Sequence, residues 1–210
     1  MSLPAHIDFW NTRYASGQTP WEFNGIPANL QAFLKRKTKG TAPTTAGRGR
    51  VLIPGCGTGL EIKAFTEAGF DVTAIDFSEV AVKQAREKVG PALGDRIIIG
   101  DFFTHEFAPA SFDFVYERAF LCAFPPELRI PYRDRVASLL KRGGDLIGYF
   151  YYKTPDREAG PPYGFAWGTS DELFGRHFIL LKDVPVTDSV PVFAGRERWQ
   201  EQRRTAFTGG

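Results

Sequence analysis

At 210 residues the chain can build one sizeable core and is short for two ordinary domains, and 43% apolar with 24% charged residues excludes a disordered chain. Twenty-six Lys and Arg against 24 Asp and Glu give a formal net charge of +2 with no long run of one sign, so charge implies neither nucleic acid nor an anionic membrane, and the expected partner is a small molecule. Two cysteines (Cys56, Cys122) and three scattered histidines exclude a disulfide framework and a zinc site, and without a spanning apolar stretch or a signal-peptide pattern the expected location is the cytoplasm.

In chain order, Ile7, Trp10 and Tyr14 recur at helical spacing, and residues 28–37 read as a second short helix. Residues 38–49, rich in Gly, Thr, Ala and Pro, read as a flexible connection. From 50 to 152 strand and helix patterns alternate, as in a parallel sheet covered on both faces. The strands are predicted at 50–54, 71–75, 96–99, 112–116 and 145–152. A helix at 60–68 ends at Gly69, and Ser78 is placed to cap a helix that buries Val82, Ala85 and Val89. Leu128, Tyr132, Val136 and Leu140 recur every four residues, so a helix is predicted to run to Leu140 and close at Gly143 and Gly144, with Pro131 kinking it or opening its second part. A Gly and Pro loop follows, then a short helix at 170–174 and strands at 178–184 and 198–207. No internal repeat or low-complexity tract is present.

The loop Pro54-Gly55-Cys56-Gly57-Thr58-Gly59 joins a buried strand to a helix, where glycines let main-chain N–H groups approach a ligand. A dinucleotide site calls for G-x-G-x-x-G, whereas the spacing here is G-x-G-x-G, which brings in S-adenosylmethionine as the alternative cofactor. Asp76 ends the second strand 17 residues after Gly59, where a carboxylate meets the hydroxyls of a ribose. Asp101 follows the third strand with Phe102 and Phe103, a carboxylate for the adenine amine and an apolar side chain for its ring. Taken singly, either acid could equally cap the next element. Arg118, at the end of the fourth strand, costs solvation unless paired; Glu117 beside it points to the opposite face, so the expected partner of Arg118 is a ligand.

In Phe9-Trp10, Gly17 to Trp21, 51–76, Asp101-Phe102-Phe103, 116–123 and Gly160-Pro161-Pro162-Tyr163 the chain resembles the thiopurine S-methyltransferase superfamily, which includes thiol, thiocyanate and halide methyltransferases. The resemblance covers roughly residues 9–176. It implies a class I, Rossmann-like α/β fold: a seven-stranded, mostly parallel sheet with helices on both faces and the last strand antiparallel. One methyltransferase domain over 1–210 is then expected, with an N-terminal cover at 1–37, a cofactor-binding core at 50–152 and C-terminal strands at 153–210. By the same resemblance Trp10, Tyr14 and Trp21 close over the cofactor, and Gly55, Gly57, Asp76, Asp101, Phe102, Glu117 and Arg118 belong to its site. Arg118 also orients the acceptor, while Pro161, Pro162 and Tyr163 shape the acceptor pocket.

The expected reaction is methyl transfer from S-adenosylmethionine to a small soft nucleophile, a thiol or thiopurine sulfur, leaving S-adenosylhomocysteine. A thiol with a pKa of ~8.5 is partly ionised near neutrality and needs no general base, in keeping with the absence of a His-Asp pair. Halide, thiocyanate or metalloid anions are the alternative acceptors. An NAD-dependent oxidoreductase shares the sheet but not the glycine spacing, and a non-catalytic adenosine-binding module has no use for the aromatic cover or for Arg118. A monomer without nucleic-acid or membrane partners and without a metal is expected.

Overall fold

The computed structural model describes residues 4–40, 47–153, 160–166 and 168–205. The chain forms two compact units, Met1–Glu106 and Phe107–Gly210. The first holds α1 (Pro4–Ala15), α2 (Ala28–Thr38), β1 (Arg50–Pro54), α3 (Leu60–Glu67), β2 (Asp71–Asp76), α4 (Glu79–Val89), α5 (Pro91–Gly94) and β3 (Ile97–Ile99). The second holds β4 (Phe112–Arg118), α6 (Arg129–Leu139), β5 (Leu140–Tyr151), α7 (Ser170–Phe174), β6 (Phe178–Pro185) and β7 (Glu197–Arg204). The strands form one seven-stranded sheet in the order β3-β2-β1-β4-β5-β7-β6. Among the described residues no helix is long and apolar enough to cross a membrane.

In the first unit Val51, Leu52 and Ile53 are buried, which is why β1 reads as an unbroken apolar run. β1 pairs parallel with β2 from Arg50↔Asp71 to Pro54↔Ile75, and β2 pairs parallel with β3. Ser78 caps α4 as expected, its hydroxyl accepting the Ala81 N–H at 3.1 Å. α1 is tied to this helix: the Ser78 hydroxyl donates to Asn11 Oδ1 at 2.7 Å, and Gln84 Nε2 donates to the Tyr14 carbonyl at 3.1 Å.

In the second unit β4 pairs parallel with β5, while β7 runs antiparallel to both β5 and β6. The last strand in the chain is therefore the reversed one. Tyr116, Tyr132, Phe150 and Trp199 fill this core and are fully buried.

One boundary differs from the sequence reading. α6 ends at Leu139, and Leu140 already pairs with Phe112 as the first residue of β5. Gly143 and Gly144 lie inside β5, where the register steps from Phe112↔Leu140 to Phe114↔Asp145. Leu140 is buried in either element, so its spacing from Val136 did not separate the two. The bulge needs small residues: Gly143 has φ +76°, and a Cβ on Gly144 would stand 2.9 Å from the Asp113 carbonyl oxygen. Leu128 lies in a 3₁₀ turn ahead of α6, and Pro131 falls in the first helical turn, where its missing N–H costs nothing. β4 runs two residues further than expected, which puts Glu117 and Arg118 on the strand itself. Part of the predicted connection (41–46) and the end of the predicted last strand (206–207) lie outside the described residues.

Candidate active site

In Met1–Glu106 the site is built on the turn between β1 and α3. Gly55, Gly57 and Gly59 have φ of +58°, +52° and +72°, a left-handed series that only glycine adopts at little cost. A Cβ on Gly57 would sit 2.7 Å from the Tyr14 hydroxyl. Asp76, 6% exposed, accepts the Gly57 N–H at Oδ2 and the Ser78 N–H at Oδ1, both at 2.9 Å. Burial pushes its pKa up to about 6, against the pull of the Ser78, Gly57 and Phe77 amides. These bonds fix the carboxyl at the head of the glycine turn and use two of the roughly four positions a carboxylate can accept at. Asp101, half-buried, accepts the Phe103 N–H at 2.9 Å beside the buried Phe102.

The aromatic segment gathers over this turn. Trp10 and Trp21 meet edge to face at 5.1 Å, and Trp21 meets Tyr14 at 5.9 Å. Tyr14 is 7% exposed, and burial, with Asp76 adding to it, pushes its phenol well above its ordinary value. Trp10 and Trp21 remain partly exposed. Glu22 locks the segment in place: it accepts from the Thr19 hydroxyl at 3.0 Å and from the Thr58 hydroxyl, to which Lys88 Nζ also donates at 2.8 Å. Asn11, Glu22 and Lys88 carry no motif; they join segments up to 67 residues apart, and no local pattern announces them.

In Phe107–Gly210 the end of β4 divides its two polar residues between opposite faces. Glu117, 1% exposed, accepts the Phe120 N–H at 3.2 Å and the Leu121 N–H at 3.0 Å, while the Tyr132 hydroxyl reaches it at 3.5 Å. It holds the turn that begins at Ala119, whose φ is +58°. Gly148 lies opposite Glu117 in the sheet, and a side chain there would fall onto the Glu117 carbonyl. Burial raises the Glu117 pKa to about 8. Its acid is thus engaged in its own loop.

This has a measurable consequence. The unfolded chain ionises Glu117 near 4.5 while the fold keeps it protonated to about 8, so unfolding releases a proton and stability falls as pH rises through that window, with a slope of up to ~1.4 kcal/mol per pH unit. Urea midpoints measured from pH 5 to 8 are expected to fall more steeply in the parent than in Glu117→Gln. Parallel curves would contradict this.

Arg118 points to the other face. Its guanidinium carbon lies 5.9 Å from the centre of the Tyr149 ring, and it draws the buried Glu197 carboxyl toward its charged form. From the sequence a ligand is the expected partner of Arg118. The structure supplies two protein neighbours as well, because the reversed β7 begins at Glu197 on the same sheet face, which only strand register reveals. The Gly160 to Tyr163 segment is anchored nearby in the chain's second half: the Tyr163 N–H donates to the Cys122 carbonyl at 2.6 Å, and Arg129 Nη2 donates to the Gly164 carbonyl at 2.7 Å while stacking on Phe165 at 4.7 Å. Pro161 is exposed, and Pro162 and Tyr163 are partly exposed. Burial pushes the Cys56 and Cys122 thiols well above their ordinary value, so neither is poised as a nucleophile. Among the described residues no cluster of His, Cys, Asp and Glu could hold a metal ion.

The sequence model of Thiopurine S-methyltransferase (TPMT) matches residues 5–204. A probable thiol methyltransferase 2 of Arabidopsis thaliana is 35% identical over 158 residues, 73% of this chain and 66% of its own length. Thiocyanate methyltransferase 1 of the same plant is 31% identical over 202 residues, 91% and 84% of the two chains. A thiopurine S-methyltransferase of Shewanella amazonensis is 29% identical over 208 residues, 91% and 90%. Among solved structures, 1,6-didemethyltoxoflavin-N1-methyltransferase of Burkholderia thailandensis, crystallised with S-adenosylhomocysteine, superposes with a TM-score of 0.76 at 19% identity over 98% of this chain and 92% of its own, a likeness of fold.

Proposed function

This chain belongs to the thiopurine S-methyltransferase family, whose enzymes use S-adenosylmethionine, and within that family we propose that its acceptor is the sulfur of a small thiol or thiopurine. The observation that carries the choice of acceptor is Arg118, a cation fixed over Tyr149 at the end of β4, suited to a sulfur that becomes anionic. Around it Glu117 is engaged in its own turn and Cys122 stays protonated. A thiol asks for no general base: with a pKa of ~8.5 it gives up its proton to water once its sulfur meets the Arg118 guanidinium.

The residues fit an adenosyl cofactor. The left-handed glycine turn presents main chain without side chains, with the Tyr14 hydroxyl over Gly57, and Asp76 keeps acceptor positions for two ribose hydroxyls. Asp101 suits the adenine amine and Phe102 its ring, while Trp10, Tyr14 and Trp21 exclude water from above. When bound, S-adenosylmethionine supplies an electrophilic methyl on a sulfonium, so the protein's part is alignment, which is worth up to ~7–11 kcal/mol. Arg118 orients the acceptor sulfur, with Pro161, Pro162 and Tyr163 shaping its pocket. Transfer to thiocyanate or a halide is a second reading, favoured by the relatives named thiocyanate methyltransferase.

Calorimetry with S-adenosylhomocysteine and NAD tests the cofactor half: binding of the first and not the second is expected, and tight NAD binding would overturn the reading. The same titration checks the cover. Trp10 and Trp21, partly exposed, gain a large apolar partner only with the site filled. Tryptophan fluorescence should therefore shift and residues 1–36 gain protection from proteolysis at saturating S-adenosylhomocysteine. Unchanged cleavage would mean a helix packed the same way with or without ligand.

A further inference from the structure

Strand register assembles a charged group around the acceptor residue. Arg118 lies opposite Tyr149, Tyr149 opposite Trp199, and Tyr151 opposite Glu197, so all five side chains share one sheet face. The Tyr149 and Trp199 rings meet at 5.1 Å. Arg196 Nη1 donates to the Tyr151 hydroxyl at 3.3 Å, which holds that ring beside the start of β7. Glu197 is 6% exposed. Burial raises its pKa, Ser189 and then Arg118 pull it back down, and Asp188 of the β6–β7 loop adds to the rise. Glu117 and Cys122 are the other ionisable groups that feel it.

We propose that Glu197 sets the choice of acceptor by opposing the charge of Arg118, so that the enzyme favours thiols that arrive neutral over permanently charged anions. The inference rests on the reading of Arg118 as the residue that holds the acceptor. An anion such as thiocyanate arriving at Arg118 meets less net attraction with the Glu197 carboxylate on the same sheet face, since the two charges act on it with opposite sign. A neutral thiol loses nothing to Glu197 on arrival and still finds the guanidinium N–H donors as its sulfur becomes anionic. In the transfer the sulfonium carbon–sulfur bond breaks as the new one forms, the bond pair stays on S-adenosylhomocysteine, and the thiol proton leaves to water. Glu197 is accordingly a positioning residue: it acts on the acceptor through Arg118.

The experiment compares the full chain with Glu197→Gln, Glu197→Asp, Arg118→Ala and the double variant Arg118→Ala/Glu197→Gln. It measures kcat/KM for 1-propanethiol and for thiocyanate, together with the thiocyanate Kd by calorimetry. Glu197→Gln should raise the thiocyanate-to-propanethiol ratio on the order of 10-fold and tighten thiocyanate binding, because an opposing charge has been removed. Glu197→Asp, which keeps the charge, should keep the parental ratio, and without Arg118 the shift should vanish. Equal losses for both acceptors in Glu197→Gln, or a shift that persists in the double variant, would overturn the inference. If Arg118→Ala itself matches the parent with both acceptors, the reading of Arg118 fails; if Arg118→Ala is impaired and Glu197→Gln leaves the ratio unchanged, the role of Glu197 alone fails.

Discussion

Arg118→Ala is expected to lower kcat/KM for the best thiol by ~10-fold or more while changing S-adenosylhomocysteine affinity by less than ~3-fold, each tenfold step being ~1.4 kcal/mol of transition-state stabilisation. The split follows from where the residue stands. Arg118 lies over Tyr149 on the sheet face it shares with Glu197 and opposite Glu117, and the cradle of glycines and acids is formed by other strands. A charge that strengthens its hold as the acceptor sulfur becomes anionic acts on the transition state more than on the bound cofactor. Arg118→Lys keeps the charge but loses the planar fork, so its activity should fall between the two. Equal losses in turnover and in S-adenosylhomocysteine affinity would instead assign Arg118 to the cofactor.

Asp76 carries the second large effect. Loss of charge-assisted hydrogen bonds costs ~1.5–3 kcal/mol each, so Asp76→Ala should weaken S-adenosylhomocysteine by at least ~10-fold. The structure adds a complication, because the same carboxyl holds the Gly57 and Ser78 amides. Alanine would orphan both, at ~1–3 kcal/mol each. Asp76→Asn, which keeps one acceptor oxygen, is therefore the variant to measure beside it, with urea midpoints recorded for both. There is also a pH signature. Ribose hydroxyls donate to the ionised form, and Asp76 ionises near about 6, so cofactor affinity should rise as pH passes upward through that value and stay flat in Asp76→Asn. A folded Asp76→Asn that binds as tightly as the parent would leave the acid with its loop alone.

How far the sequence reaches is visible in these two residues. Asp76 was legible because strand, glycine turn, helix and strand follow one another within 27 residues, each bounded by Gly or by a cap, so its place at a strand end needs only local pattern. The seven strands were located for the same reason, with errors at their ends. Leu140 shows the limit: an apolar residue fits helical and strand periods alike, and only the pairing with Phe112 decides. Arg118 is legible as a strand-end residue, whereas Glu197 comes onto the same sheet face only through the order and direction of β5 and β7. Glu117 was grouped with the cofactor residues on its position in the chain; the amides of Phe120 and Leu121, three and four residues on, engage it in a turn that no spacing rule announces.

The most direct test incubates the full chain with methyl-labelled S-adenosylmethionine and a panel of thiols, thiopurines, thiocyanate and bromide, and identifies the labelled product by mass. Labelled thioether from at least one thiol or thiopurine, formed in equal amount with S-adenosylhomocysteine, is the predicted result. Binding of S-adenosylhomocysteine with no label on any sulfur acceptor would contradict it and leave an adenosine-binding protein without this chemistry.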